Sequence, residues 1–196
     1  MTTYNQRSRM ALSFDDVLLV PKFSEVMSRK EIDIQQKLKK VRYEPFTLPV
    51  IASPMDTISE VEMSRAVSDC GGVAIIHRYN STEEQSKMVM DVINTGHTVG
   101  AAIGVGDDFV KRAEALVRVG VSFLCIDVAH GHHAKVRYAL QVLKNTFGDD
   151  IHLMAGNVAT LEAFNDLADW GADSIRVGIG GGSICSTRIQ TGHGMP

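Results

Sequence analysis

An apolar run empties into four glycines within five positions in Val177-Gly-Ile-Gly-Gly-Gly-Ser-Ile-Cys-Ser-Thr-Arg188. Glycines there let backbone N–H and C=O groups approach a ligand closely. Such a loop can cradle a phosphate through its amides, with Ser183 adding a hydroxyl, or wrap a monovalent cation in carbonyls. Cys185 follows directly, and a thiolate surrounded by amides or cationic groups is an activated nucleophile. The plainer alternative is a glycine-rich connection with an incidental thiol. The other two cysteines have different settings: Cys70 closes a helical segment against Gly71-Gly72, and Cys125 lies inside Phe-Leu-Cys-Ile. Both are expected to be small buried hydrophobes.

Further polar groups recur where apolar runs end. Asp127 ends Cys-Ile-Asp and could hold a ribose hydroxyl or orient a cationic ring. Asn157, in Ala-Gly-Asn-Val, is either a polar group turned into a site or a turn residue. Ser53-Pro-Met-Asp-Thr57 offers Met55 as a polarizable surface for a planar base, or as core. His130, His132 and His133 invite a metal reading, but no carboxylate or cysteine recurs at ligand spacing and HExxH is absent, so a turn with partly exposed histidines is expected. The Met and Val residues of Lys87-Met-Val-Met-Asp-Val-Ile have core spacing.

Positioning these groups requires a scaffold, and apolar runs alternate with helical-period segments about every 25 residues, the pattern of a parallel sheet with covering helices. Strands are expected at Leu48–Ser53, Val73–Ile76, Thr98–Ile103, Phe123–Asp127, Ile151–Ala155 and Ser174–Gly178. Helices fall between them: Ser59–Cys70, one from Ser81, Asp107–Val119, His132–Phe147 and Thr160–Trp170. Ser81-Thr-Glu-Glu supplies a cap and an acidic first turn. Polar or special residues at the ends of successive strands favour a TIM (β/α)8 barrel, in which those ends converge. A doubly wound nucleotide-binding sheet would place its glycines in the first βα turn, which here is Ser-Pro-Met-Asp-Thr. A complete barrel needs about 250 residues, so the 196 residues read as one domain, 1–196, with about six of eight βα units after an N-terminal arm, 1–45. The arm holds Leu12–Pro21 and the charged stretch Arg29–Arg42.

The composition narrows the class of function. With 20 Lys+Arg against 23 Asp+Glu and 44% hydrophobic residues, no cationic footprint for nucleic acid or membrane surface is present. Three widely spaced cysteines without CxxC pairing point to a reducing compartment, and Met1–Arg9 lacks an apolar h-region. A cytoplasmic protein with a small-molecule ligand is expected.

Together the motifs resemble the inosine monophosphate dehydrogenase and guanosine monophosphate reductase family along essentially the whole chain. The resemblance rests on Leu12-Ser-Phe-Asp-Asp-Val-Leu-Leu-Val-Pro21, Ser53-Pro-Met-Asp-Thr57, Gly71-Gly-Val-Ala-Ile-Ile-His77, Gly100-Ala-Ala-Ile-Gly-Val105, Asp127-Val-Ala-His-Gly131, Ala155-Gly-Asn-Val158, Gly180-Gly-Gly-Ser-Ile-Cys-Ser-Thr-Arg188 and Thr191-Gly-His-Gly-Met-Pro196. It implies that Cys185 attacks C2 of a purine nucleotide while a hydride passes between that carbon and a nicotinamide, NAD for a dehydrogenase or NADPH for a reductase. It further implies that Thr187 handles the water or leaving group, and that Ser53, Met55, Asn157, Gly182 and Ser183 contact the nucleotide. Asp127, Val128 and Gly178 are implied on the cofactor side. Carbonyls of Gly180, Gly182 and Cys185 are implied as potassium ligands.

No room exists for a CBS insertion near Asn94-Thr-Gly-His-Thr-Val99, and Val128 stands where many dehydrogenases carry Ser or Thr; both features lean to a reductase. The arm, Ser-Pro-Met-Asp-Thr and Gly-Ser-Ile-Cys-Ser-Thr-Arg resemble dehydrogenases more, so a CBS-less IMP dehydrogenase is the favoured expectation and a GMP reductase the alternative. Gly181 and His193 depart from the common residues at their positions. A homotetramer is implied if the barrel is complete. Two expectations of another kind stand beside these: an incomplete, inactive barrel segment that needs further C-terminal chain, and a phosphate-binding barrel with different chemistry.

Overall fold

The computed structural model describes residues 12–13, 15–41 and 46–195. Readings that fall on Met1–Arg9, Phe14, Arg42 or Pro196 lie outside the described residues. Six parallel strands, β1 (Ile51–Ala52), β2 (Val73–Ile76), β3 (Val99–Ile103), β4 (Phe123–Asp127), β5 (His152–Val158) and β6 (Ser174–Val177), pair in chain order in one sheet. Helices α1 (Val61–Asp69), α2 (Thr82–Ile93), α3 (Phe109–Arg118), α4 (Ala134–Phe147) and α5 (Leu161–Asp169) connect them, and a one-turn α6 (Thr187–Thr191) follows β6. The sheet curls into part of a TIM barrel, about six βα units, as the alternation predicts.

Period-two alternation divides the apolar residues between two layers. Ile76, Val99, Ala101, Ile103, Leu124, Ile126, Leu153 and Ala155 face the helices, while Val73, Ile75, Ala102, Phe123, Cys125 and Met154 fill the inside of the curl. Gly100 is inward too, and a Cβ there would lie 2.3 Å from Phe123 Cζ, so the ring fills the space that the glycine leaves. Local signals set the helix ends. Ser81 and Glu84 form a reciprocal capping box on α2. Gly71 ends α1 at φ +85°, and a Cβ there would collide with Thr47 Oγ1, so a left-handed, side-chain-free residue is required.

The arm closes the N-terminal end of the curl. Gln36 and Phe46 exchange backbone hydrogen bonds of 2.8 and 2.7 Å, and Val41 and Phe46 are buried against the inner layer. Lys40 Nζ pairs with Asp173 at 2.5 Å and Asp149 at 2.9 Å. Beneath it, His152 Nδ1 donates to Lys39 O at 2.7 Å while its Nε2 accepts from Ser174 Oγ at 2.8 Å; burial pushes its pKa below the usual imidazole value. Leu18, Leu19 and Phe23, earlier in the arm, are more than 90% exposed.

Some boundaries differ from the sequence reading. β1 is two residues long, because Pro49 has no N–H to donate and Leu48 N turns to Gly71 O. β5 continues past Ala155 to Val158 because Gly156 pairs with both Asp127 and Arg176. α1 begins at Val61 and not Ser59, whose hydroxyl donates to Ser53 O.

Candidate active site

The C-terminal ends of the strands form one cleft. Asp127, Val128 and Ala129 leave β4, Asn157 lies near the end of β5, and Gly178, Ile179 and Gly180 leave β6; Cys185 and Thr187 come from the loop and α6, and Arg78 and Tyr79 from the end of β2. The structure therefore brings together seven of the residues singled out from sequence: Asp127, Val128, Asn157, Gly178, Gly180, Cys185 and Thr187. Asn157 Nδ2 donates to Gly178 O at 2.8 Å, tying the glycine loop to β5. The side chain thus points across the mouth and does not make a turn.

Cys185 Sγ lies 3.3 Å from Thr187 Oγ1. Hydrogen bonds from the Thr187 hydroxyl and backbone N–H, with the charge of Arg188 behind them, hold the thiol below its ordinary pKa. Cys125 is the opposite case: burial pushes its thiol up to about 12. The expectation that Cys70 is buried is corrected, since it is exposed at the C-cap of α1; a helix-ending cysteine next to Gly-Gly carries no signal for which face it takes.

Met55 is 41% exposed, so it is not core. It lies in the β1–α1 turn, where its carbonyl accepts from Ile58 N and Ser59 N. Gly182 and Ser183 are exposed on the loop, outside the cleft lining. Gly182 O accepts from Cys185 N at 3.1 Å and keeps a second lone pair, so with Gly180 the loop has carbonyls of the kind a monovalent cation takes. The histidines have separate roles: His133 caps α4 through Lys135 N, His132 pairs with Asp166 at 2.7 Å and stacks on Trp170, and His130 stacks on His193.

Arg176 is one residue that sequence reading missed. Its Nη1 pairs with Asp127 Oδ1 at 2.5 Å and its Nη2 donates to Ser53 Oγ at 3.3 Å, so Ser53 joins the site through it. A cation at an inward position of Ser-Ile-Arg-Val was the available signal. Arg78 and Tyr79 were also missed; the guanidinium sits 5.2 Å from the Tyr79 ring centroid and Nε donates to Asp127 O.

Residues 11–196 match the domain described as "IMP dehydrogenase / GMP reductase domain". The chain belongs to the IMP dehydrogenase / GMP reductase family. Among relatives, it is 34% identical to an inosine-5'-monophosphate dehydrogenase of Borreliella burgdorferi over 98% of this chain and 59% of the relative. It is 35% identical to the same-named protein of Cryptosporidium parvum, over 94% and 55% respectively, and 32% identical to a GMP reductase of Mycoplasma mycoides, over 92% and 56%. The chain thus spans less than two thirds of the length of these family members. No helix among the described residues is long and apolar enough to cross a membrane.

Proposed function

We propose that the chain carries the nucleophile half of a purine nucleotide oxidoreductase site, working in the IMP dehydrogenase direction: IMP, NAD and water to XMP and NADH. The supporting observation is a thiol held below its ordinary pKa by Thr187, on a glycine loop beside Asp127 and Asn157. Cys185 adds to C2 of the purine, forming a C–S bond, as the C2 hydrogen leaves with its electron pair. Water then attacks the resulting thioimidate and the C–S bond breaks, returning the thiolate and releasing one proton to solvent; Thr187 Oγ1, 3.3 Å from the sulfur, holds that water. Splitting the displacement in two is what covalent catalysis supplies. Ser53, Met55, Asn157, Gly182 and Ser183 hold the nucleotide.

The open glycine cradle fits a flat cofactor, since a Cβ at Gly178 or Gly181 would meet nothing within 4 Å. Asp127, Val128 and Gly178 face it, and when bound the nicotinamide supplies the hydride acceptor. Potassium, on carbonyls of Gly180, Gly182 and Cys185, would brace the loop that carries the thiol. A cytoplasmic location completes the proposal, with a homotetramer where the barrel is complete.

The second reading, GMP plus NADPH to IMP and ammonia, is favoured by alignment length. The Mycoplasma reductase aligns over 183 positions, whereas the two dehydrogenases take 242 and 228, more than the 196 residues present, so they carry insertions that this chain lacks. Reduced-nicotinamide absorbance, followed with IMP plus NAD and with GMP plus NADPH, separates the directions. Nucleotide protection of Cys185 without turnover would identify a binding-competent segment that needs further chain. No absorbance change and no protection by either nucleotide would overturn the reading.

A further inference from the structure

The end of β2 holds a buried histidine that the chemistry above does not use. The His77 side chain is 3% exposed, and its Nδ1 accepts from Tyr79 N at 3.2 Å, which leaves the ring proton on Nε2. Nε2 faces Glu60 Oε1 at 3.2 Å and Asp56 Oδ1 at 3.8 Å. Three such groups within 4.8 Å of one another could also suit a divalent cation. The tautomer decides against it. A metal-bound Nε2 must offer its lone pair, and the neutral ring would then carry its proton on Nδ1, where the Tyr79 N–H already points.

Asp56 belongs to the turn that carries Ser53 and Met55, and Glu60 follows it at the start of α1. This turn is strained: Thr57 is a non-glycine residue at φ +61°. Glu60 is the N-cap of α1 yet makes no side-chain capping bond, its carboxylate being turned to His77. Arg176 also holds this turn, through Ser53 Oγ.

We propose that His77 is a positioning residue: its Nε2–H, fixed by the Tyr79 amide, locks the Ser53–Thr57 turn to the sheet through Glu60 and Asp56, so that Ser53 and Met55 are presented to the nucleotide. The proposal rests on the nucleotide role of Ser53 and Met55 given above.

Long-range 1H–15N correlation of the labelled chain reads the tautomer directly. The expected spectrum has a protonated Nε2 and a bare Nδ1, unchanged by added Zn2+. A proton on Nδ1, or stoichiometric zinc binding that displaces the Nε2 proton, would overturn the proposal in favour of a metal site. Two variants supply the functional readout, because the amide nitrogen of Gln reaches the Nε2 position and that of Asn only the Nδ1 position. His77→Asn is expected to raise the IMP or GMP concentration that half-protects Cys185 from iodoacetamide by about tenfold. His77→Gln is expected to restore it, and the alkylation rate without nucleotide should be equal in both. Equal protection in His77→Asn and the unaltered chain sinks the positioning role while leaving the proposed function intact. If nucleotide does not protect the unaltered chain, the functional reading falls, and the positioning role with it.

Discussion

The three thiols occupy three electrostatic settings, and their reactivities should separate accordingly. Cys125 sits inside the curl with its pKa raised from 9.0 to about 12 by burial. At pH 8 that leaves about one molecule in ten thousand as thiolate, against about one in ten for an ordinary thiol, so ionisation alone slows it about a thousandfold. Cys185 is shifted the other way by the Thr187 hydroxyl and N–H, and its thiolate is available below the ordinary range. Cys70 is exposed and serves as an internal reference. Iodoacetamide labelling, followed by peptide mass mapping across a pH series, should give a midpoint for Cys185 below 9.0 and no labelling of Cys125 until the protein unfolds. Thr187→Val should move the Cys185 midpoint upward and slow its reaction at pH 7 several-fold, the loss of thiolate being partly offset by its higher intrinsic nucleophilicity. IMP or GMP should slow Cys185 alone. A Cys185 midpoint at or above 9.0, or native Cys125 labelled as fast as Cys70, would refute the electrostatic argument.

Two other perturbations test the scaffold. Arg176→Met strands the Asp127 carboxylate, 18% exposed; a fully buried broken pair costs about 3–5 kcal/mol, and partial solvent access lowers the expectation to about 2 kcal/mol in urea denaturation. Adding Asp127→Asn should recover part of that loss, and strictly additive losses would show that the pair is not a unit. Lys40→Met tests the arm. Lys40, with Lys144, holds Asp149 at about 2; at Asp173 burial raises the carboxyl most, but Lys40, the Leu153 N–H and Lys144 together outweigh it and keep that carboxyl low as well. Both folded pKa values lie below 3.8, so this stabilisation is present above pH 4 and is lost as pH falls towards 2. The Lys40→Met protein should therefore show a shallower acid loss across that window, and an unchanged slope would remove the arm contact from the account.

Strand and helix order was legible because each βα unit carries its own signals: the Ser81–Glu84 box, Thr160 capping α5, glycine after α1, and alternation that sorts Ile75 inward and Ile76 outward. The cleft position of Cys185 and Thr187 was legible for a similar reason, since they follow closely on the glycines. What linear reading could not supply are partnerships across the barrel. Arg176 meets residues 49 and 123 positions away, and nothing in Ser-Ile-Arg-Val names them. The expected helices stop at Trp170, yet α6 forms after Cys185, a single turn whose N-cap Ser186 makes no side-chain bond and so gave no start signal. Cys70 was misjudged because one residue at a helix end has no period from which to read its face.

The sheet order has a consequence for how the molecule assembles during synthesis. Paired strand residues are separated by between 19 positions, as from Val158 to Val177, and 29, as from Phe123 to His152. Each strand can thus dock on its predecessor soon after it emerges, a low-contact-order route in which growth proceeds from the N-terminal side. The exceptions include the Lys40–Asp173 clasp, spanning 133 residues, and the Ser53–Arg176 bridge. Both wait for β6, the strand that also delivers the cysteine loop. Cys185 therefore arrives only after five strands are in place, on a scaffold whose arm and sixth strand are joined in the same event.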